Sequence, residues 1–450
     1  MGFTLGWIYW LKYMILIINH LTTGVVIISF WTKEPTHLRD AAAYITVFLA
    51  VIISMNYWSS PFLSRYEVVL SSFKILIVLG LMVLSLVLAF GGGPDRERKG
   101  FRYWRMPGAF VSADEDSTAF GVFRAIFRTF PSTTLSYLGT ELIGMAVLHT
   151  REPRKAAARA VKQIFYRILA FNLVVVTLLG MAIPADHEEL KLPIYTPRQK
   201  SASAFVVAAQ TSHIPMLPDI LNACILFFVV SSAGRSLCMA TRVIRELSRE
   251  KHAPFLLCRT DKRGVPVYAL GVSATPALLG YLNLSKFYGR LWSYLVNLVT
   301  MFSILSWISI LVFHISFVRA CKTDRIPPGE IPFRAPFGVL GSWIALALAI
   351  SIPIMRGIEL SDRSFYKKGL DVGAFVTSYL GIPLYLALVL GYKVVSRRRD
   401  HHNDVKVERS DTVRRVRSLR DPETDGAGLY EVPTREKAPW KSRSIPLWLL

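Results

Sequence analysis

Four cysteines in 450 residues, Cys224, Cys238, Cys258 and Cys321, are too few and too irregularly spaced for a disulfide framework. None falls in a CxxC or Cys/His arrangement, so free thiols and no metal site are expected. Acidic residues are also scarce. The 31 Asp and Glu face 53 Lys and Arg, leaving a formal charge of +22. The chain has no glycine-rich nucleotide loop, no HExxH, no nucleophile elbow and no paired carboxylates in a polar stretch. An enzyme therefore has nothing to stand on, and no cofactor is expected. The excess positive charge lies in loops between apolar segments and in the C-terminal tail rather than on a soluble domain. That placement belongs to a basic membrane protein and implies no nucleic-acid partner.

What the chain does hold is apolar sequence: 52% hydrophobic and 19% charged residues, with a mean hydropathy of +0.38. A soluble globule of this size has no need to hide so much apolar surface, so an all-α polytopic membrane protein is expected. Stretches long enough to cross about 30 Å of hydrocarbon fall near 4–30, 41–58, 67–90, 119–149, 164–184, 217–240, 267–285, 292–318, 337–357 and 372–394, about ten in all. The first lacks a signal peptide's short apolar core and cleavage site and is expected to stay. Basic clusters at Arg151, Arg154, Lys155, Arg159 and Lys162, at Arg242 through Arg263, and from Lys393 through Arg399 fall on one face, which becomes cytosolic with both termini. The loop 91–118, with Arg96, Arg98, Lys99, Arg102 and Arg105, faces outward against this rule. Residues 1–394 form the membrane domain. Residues 395–450 read as a disordered basic tail, whose run 413–420 suits anionic lipid. Asn283 begins a glycosylation sequon on an outer loop too short to favour its use.

The segment GTELIGMAVLHTREPRKAAARAVKQIF, 139–165, carries the most information. A carboxylate at membrane depth costs about 2.5–3.5 kcal/mol on insertion scales, so Glu141 marks a functional site. Gly139 and Gly144 weaken the helix around it, and a broken helix frees backbone groups that only a cavity or a ligand satisfies. Transporters build midplane substrate sites in this way. Other polar residues also lie inside spans. Lys12, near a helix end, is expected to snorkel, as is Arg319; His314 is expected to serve helix packing; Lys74 is deep enough to expect a pairing role. Ser231, Ser232 and Gly234 are small residues that let helices approach closely.

Several motifs in order then resemble one family. They are GFTLGWIYWLKY at 2–13, RYEVVLSSFKILIVLGL at 65–81 with Glu67 and Lys74, GFRYWRMPGAF at 100–110, Tyr137 with Gly139, Thr140 and Glu141, EPRK at 152–155, and Thr241-Arg242. The chain resembles the fungal-type amino-acid permeases of the amino acid–polyamine–organocation superfamily from about residue 2 to 395. The resemblance implies an inverted-repeat fold, and proton-coupled uptake of amino acids across the plasma membrane, with substrate, protons and the bilayer as partners. On it, the chain begins at the family's third helix and is expected to be N-terminally truncated, lacking the broken first helix. The resemblance further implies a substrate site at Tyr137, Gly139, Thr140, Glu141 and Gly144 with Ser232 and Arg235, Tyr137 acting as gate, and a polar coupling network of Lys74, Glu141, His20 and His149. Against the family pattern His20, His149 and Arg235 make the field more positive, which favours a substrate with an extra carboxylate. Two readings compete: a transporter, or a non-transporting remnant that at most senses an amino acid.

Overall fold

The computed structural model describes residues 2–31, 38–58, 62–93, 96, 98–108, 119–137, 139–142, 153–185, 187, 203–211, 214, 216–284, 288–323, 337–366 and 372–400. The tail beyond residue 400 lies outside them. Within them twelve α-helices follow one another: α1 Gly2–Ile28, α2 Leu38–Trp58, α3 Phe62–Ala89, α4 Ala119–Thr134, α5 Pro153–Ala182, α6 Ala204–Thr211, α7 Leu217–Arg249, α8 Val267–Ala274, α9 Tyr288–Thr323, α10 Gly338–Tyr366, α11 Val372–Tyr379 and α12 Gly381–Asp400. The protein is all-helical and polytopic, as its apolar runs require. Eight stretches of the described residues are long and apolar enough to cross a bilayer.

Three of the ten expected spans, one of them counted among the eight, depart from a plain helix for local reasons. In 267–285 the α-helix tightens into a 3₁₀ stretch, Thr275–Leu284, where Pro276 has no N–H to return to the preceding turn. In 119–149 the helix breaks after Thr134. In 372–394 one crossing is made of two helices, α11 and α12, which meet at Leu380 just before Pro383.

α1 is the hub. Its Ile17 and Leu21 pack with Leu49 and Ile52 of α2, Ala233 and Leu237 of α7, and Leu270 and Ala274 of α8. Small side chains let these helices approach, as they must where lipid tails are as apolar as the core and close packing supplies the attraction. A Cβ on Gly24 of α1 would meet the Phe48 ring at 2.8 Å. Polar pins fix the register: Asn222 Nδ2 donates to the Ile27 carbonyl at 2.9 Å, and Trp10 Nε1 to Ser273 Oγ at 3.2 Å. α3 and α5 leave Leu76, Val83, Leu173 and Val176 exposed, a lipid-facing pattern that water would not tolerate over such an area. α9 closes the far side through Ser309 and Tyr385 hydroxyls 2.7 Å apart.

Candidate functional site

α4 stops at Thr134 and continues as a short 3₁₀ turn, Leu135–Tyr137. Gly139 then takes φ +94°, a left-handed conformation that a residue without Cβ adopts freely, and a second short turn, Thr140–Leu142, follows. The break expected at 139–144 is therefore present as far as Leu142. Gly144 and His149 lie outside the described residues. The reversal at Gly139 folds the Glu141 side chain back, and the Gly139 N–H donates to Oε2 at 3.1 Å. The same oxygen accepts from Trp307 Nε1 of α9 at 3.2 Å. Oε1 accepts from Lys12 Nζ of α1 at 2.5 Å.

Lys12 thus corrects the expectation that it snorkels. Ten residues into α1, about 15 Å along the axis, its side chain is 1% exposed and its partner Glu141 4%. The ammonium turns inward because a carboxylate waits there. The Tyr9 and Tyr13 rings lie 5.3 and 5.5 Å from Nζ, close enough for cation–π attraction. Among the described residues Tyr13 Oη is buried without a hydrogen-bond partner. A buried ion pair repays its desolvation only when its remaining valences are filled. Here one carboxylate receives three donors from three parts of the chain, and the two charges cancel.

The other sequence-nominated residues divide by location. Thr140 sits in the broken segment, half-buried, and Tyr137 is 40% exposed at its start. Lys74 of α3 is not the ammonium bonded to Glu141, whose Oε1 is taken by Lys12. Arg235 of α7 bonds to α3. Its Nη2 donates to Ser71 Oγ of α3 at 3.1 Å, in a cleft lined by Met55, Asn56, Leu70, Ser231 and Gly234. Ser232 is half-buried beside it on α7. His314 Nδ1 lies 2.8 Å from Ser342 Oγ, the packing role expected of it. Arg319 stacks over the Trp343 ring at 5.7 Å. The sequence reading missed Trp307 altogether, because an indole inside an apolar helix looks like packing until an acceptor is seen beside it.

The family model for amino acid permeases matches residues 1–405. The chain belongs to the amino acid permease family. This permease is 36% identical over 403 residues to a dicarboxylic amino acid permease of Saccharomyces cerevisiae, covering 89% of the chain and 65% of that relative. It is 31% identical to an uncharacterized amino-acid permease of Schizosaccharomyces pombe over 87% of the chain and 73% of the relative. A basic amino-acid permease of Saccharomyces cerevisiae is 28% identical over 88% of the chain and 67% of its own length. The chain therefore spans about two thirds of the length of the curated relatives it matches. The relatives it matches are named as permeases, which are transport proteins rather than enzymes.

Proposed function

We propose that this permease carries amino acids across the plasma membrane, coupled to protons, with both chain ends in the cytosol. The observation that carries the reading is the broken helix at Gly139–Glu141, where a buried carboxylate meets donors from two neighbouring helices and from the turn itself. The substrate's α-carboxylate meets backbone N–H groups at the break and its α-ammonium meets carbonyls and Glu141, so the half-helix ends supply the complementary charge. Tyr137, at the start of the broken segment, serves as the gate. Lys74 and His20 support the coupling, and Arg235 and Ser232 contribute to the substrate site. Two features favour a substrate with a second carboxylate: the cationic residues Lys74 and Arg235 within apolar helices, and the similarity to a permease named for dicarboxylic amino acids. The alternative of a non-transporting remnant is decided by uptake. In cells lacking their own permeases, the chain should give saturable uptake of labelled glutamate and aspartate. Glu141→Gln should remove most of it while surface expression stays near normal. Uptake by Glu141→Gln close to wild type at equal expression would overturn the assignment, and no uptake by the wild type would favour the remnant.

A further inference from the structure

The break explains recognition of groups common to all amino acids, but it does not explain Lys12. A packing position on a central helix needs no cation, and a buried one is retained only with a partner. Glu141 is that partner, yet the ammonium has three N–H donors and its bond to Glu141 uses one. Tyr13, one position along from Lys12, adds a buried hydroxyl without a hydrogen-bond partner among the described residues. The pair is therefore a cation and an anion in contact at the place where a zwitterion would bind, with a spare donor group on the cationic side.

We infer that Lys12 is the specificity residue of this permease: an acidic amino acid inserts into the Lys12–Glu141 pair, its α-ammonium going to Glu141 and its side-chain carboxylate to Lys12. This rests on the transport reading above and deepens it. Charge bookkeeping supports the insertion. Before binding, one buried cation faces one buried anion. Afterwards Glu141 faces the substrate ammonium, Lys12 faces the substrate's second carboxylate, and the α-carboxylate is left for the backbone N–H groups of the break. Each of the two cations then faces a carboxylate, and the third anion, the α-carboxylate, is met by backbone N–H dipoles rather than by a cation. A neutral amino acid takes Glu141 in the same way, but with its α-carboxylate held by the break's N–H groups it has no second carboxylate to return to Lys12, whose ammonium is left without a contacting counter-charge. Discrimination then comes from the cost of that orphan, which is how a site with a buried polar group rejects a ligand lacking the matching one. Trp307 and Gly139 keep their N–H bonds to Glu141 Oε2 throughout, so the carboxylate stays in place while Lys12 changes partner.

The test measures equilibrium binding of labelled glutamate and labelled glutamine to the full chain in lipid nanodiscs. The wild type should prefer glutamate by tenfold or more, about 1.4 kcal/mol. Lys12→Gln should reduce that preference to twofold or less, or reverse it, because Glu141 still takes the α-ammonium while the second carboxylate has lost its cation. Should Lys12→Gln fail to reach the membrane, Lys12→Arg carries the test: it keeps a cation and should keep a preference near tenfold. A folded Lys12→Gln that discriminates as well as the wild type would overturn the inference, as would a Lys12→Arg that no longer discriminates. Equal binding of both amino acids by the wild type would also overturn it while leaving amino-acid binding at the break intact. Binding of neither would sink both readings.

Discussion

Replacing Lys12 with Met is the perturbation whose size the structure sets most clearly. The side chain is 1% exposed and touches a carboxylate that is 4% exposed. Its removal leaves Glu141 Oε1 without that donor, while Oε2 keeps the N–H groups of Gly139 and Trp307. Breaking a buried pair by deleting one partner costs about 3–5 kcal/mol, because the other charge stays buried and uncompensated. Deleting Glu141 instead, as Glu141→Leu, strands the ammonium and should cost about as much. The double variant replaces both charges by apolar groups of similar bulk and should recover most of the loss, since such exchanges of buried pairs are often close to neutral. The cycle is read by equilibrium unfolding of the full chain in mixed micelles with rising SDS, followed by tryptophan fluorescence. Single losses below about 1 kcal/mol, the scale of solvent-exposed ion pairs, would refute the reasoning. So would additive losses in the double variant, which would mean that the two residues act independently.

Three further outcomes follow from the same geometry. Trp307→Phe removes one donor to an ionised acceptor, worth about 1.5–3 kcal/mol, and should weaken amino-acid binding at least tenfold with the bundle still folded; affinity within twofold of wild type would exclude the indole from the site. Gly139→Ala forces a Cβ into a left-handed backbone at φ +94°, costing roughly 1–3 kcal/mol, and should impair uptake more than surface expression; unchanged uptake would show that the turn tolerates a side chain. A membrane-impermeant thiol reagent should label Cys258 only after permeabilisation, because it lies in the basic loop between α7 and α8 assigned to the cytosol; labelling of intact cells would reverse the topology. Cys321 is buried and serves less well for that purpose.

The positions of the helices were legible because bilayer thickness dictates run length, and α1, α7 and α9 bury what their apolar sequences say they must. The break was legible for a different reason. Gly139 beside Glu141 in an apolar run conflicts with helix propensity and with lipid at once, and such conflicts gather at functional sites. The partner of Glu141 was not legible. Sequence spacing places Lys12 ten residues from the start of α1 and Lys74 deeper in α3, so depth alone favours Lys74 as the paired cation. Which cation reaches Glu141 depends on the way α1, the α4 break and α9 converge, and no single helix carries that information. Residues 2–13 did contain a hint: Lys12 sits in a run with Tyr9, Trp10 and Tyr13, a ring-lined setting that can hold a buried ammonium as well as let one escape to the interface.

The central claim, that amino acids bind at the break beside Glu141, is tested most directly by substrate protection of a single cysteine there. With Cys224, Cys238, Cys258 and Cys321 replaced by serine or alanine, Thr140→Cys places a thiol in the broken segment next to the carboxylate. Its rate of alkylation by a small reagent should fall at least tenfold as glutamate is raised to saturation, with the midpoint at the binding constant measured separately for the same variant. Glutamate that binds this variant yet leaves the alkylation rate of the introduced thiol unchanged would show that the substrate sits elsewhere and would contradict the account.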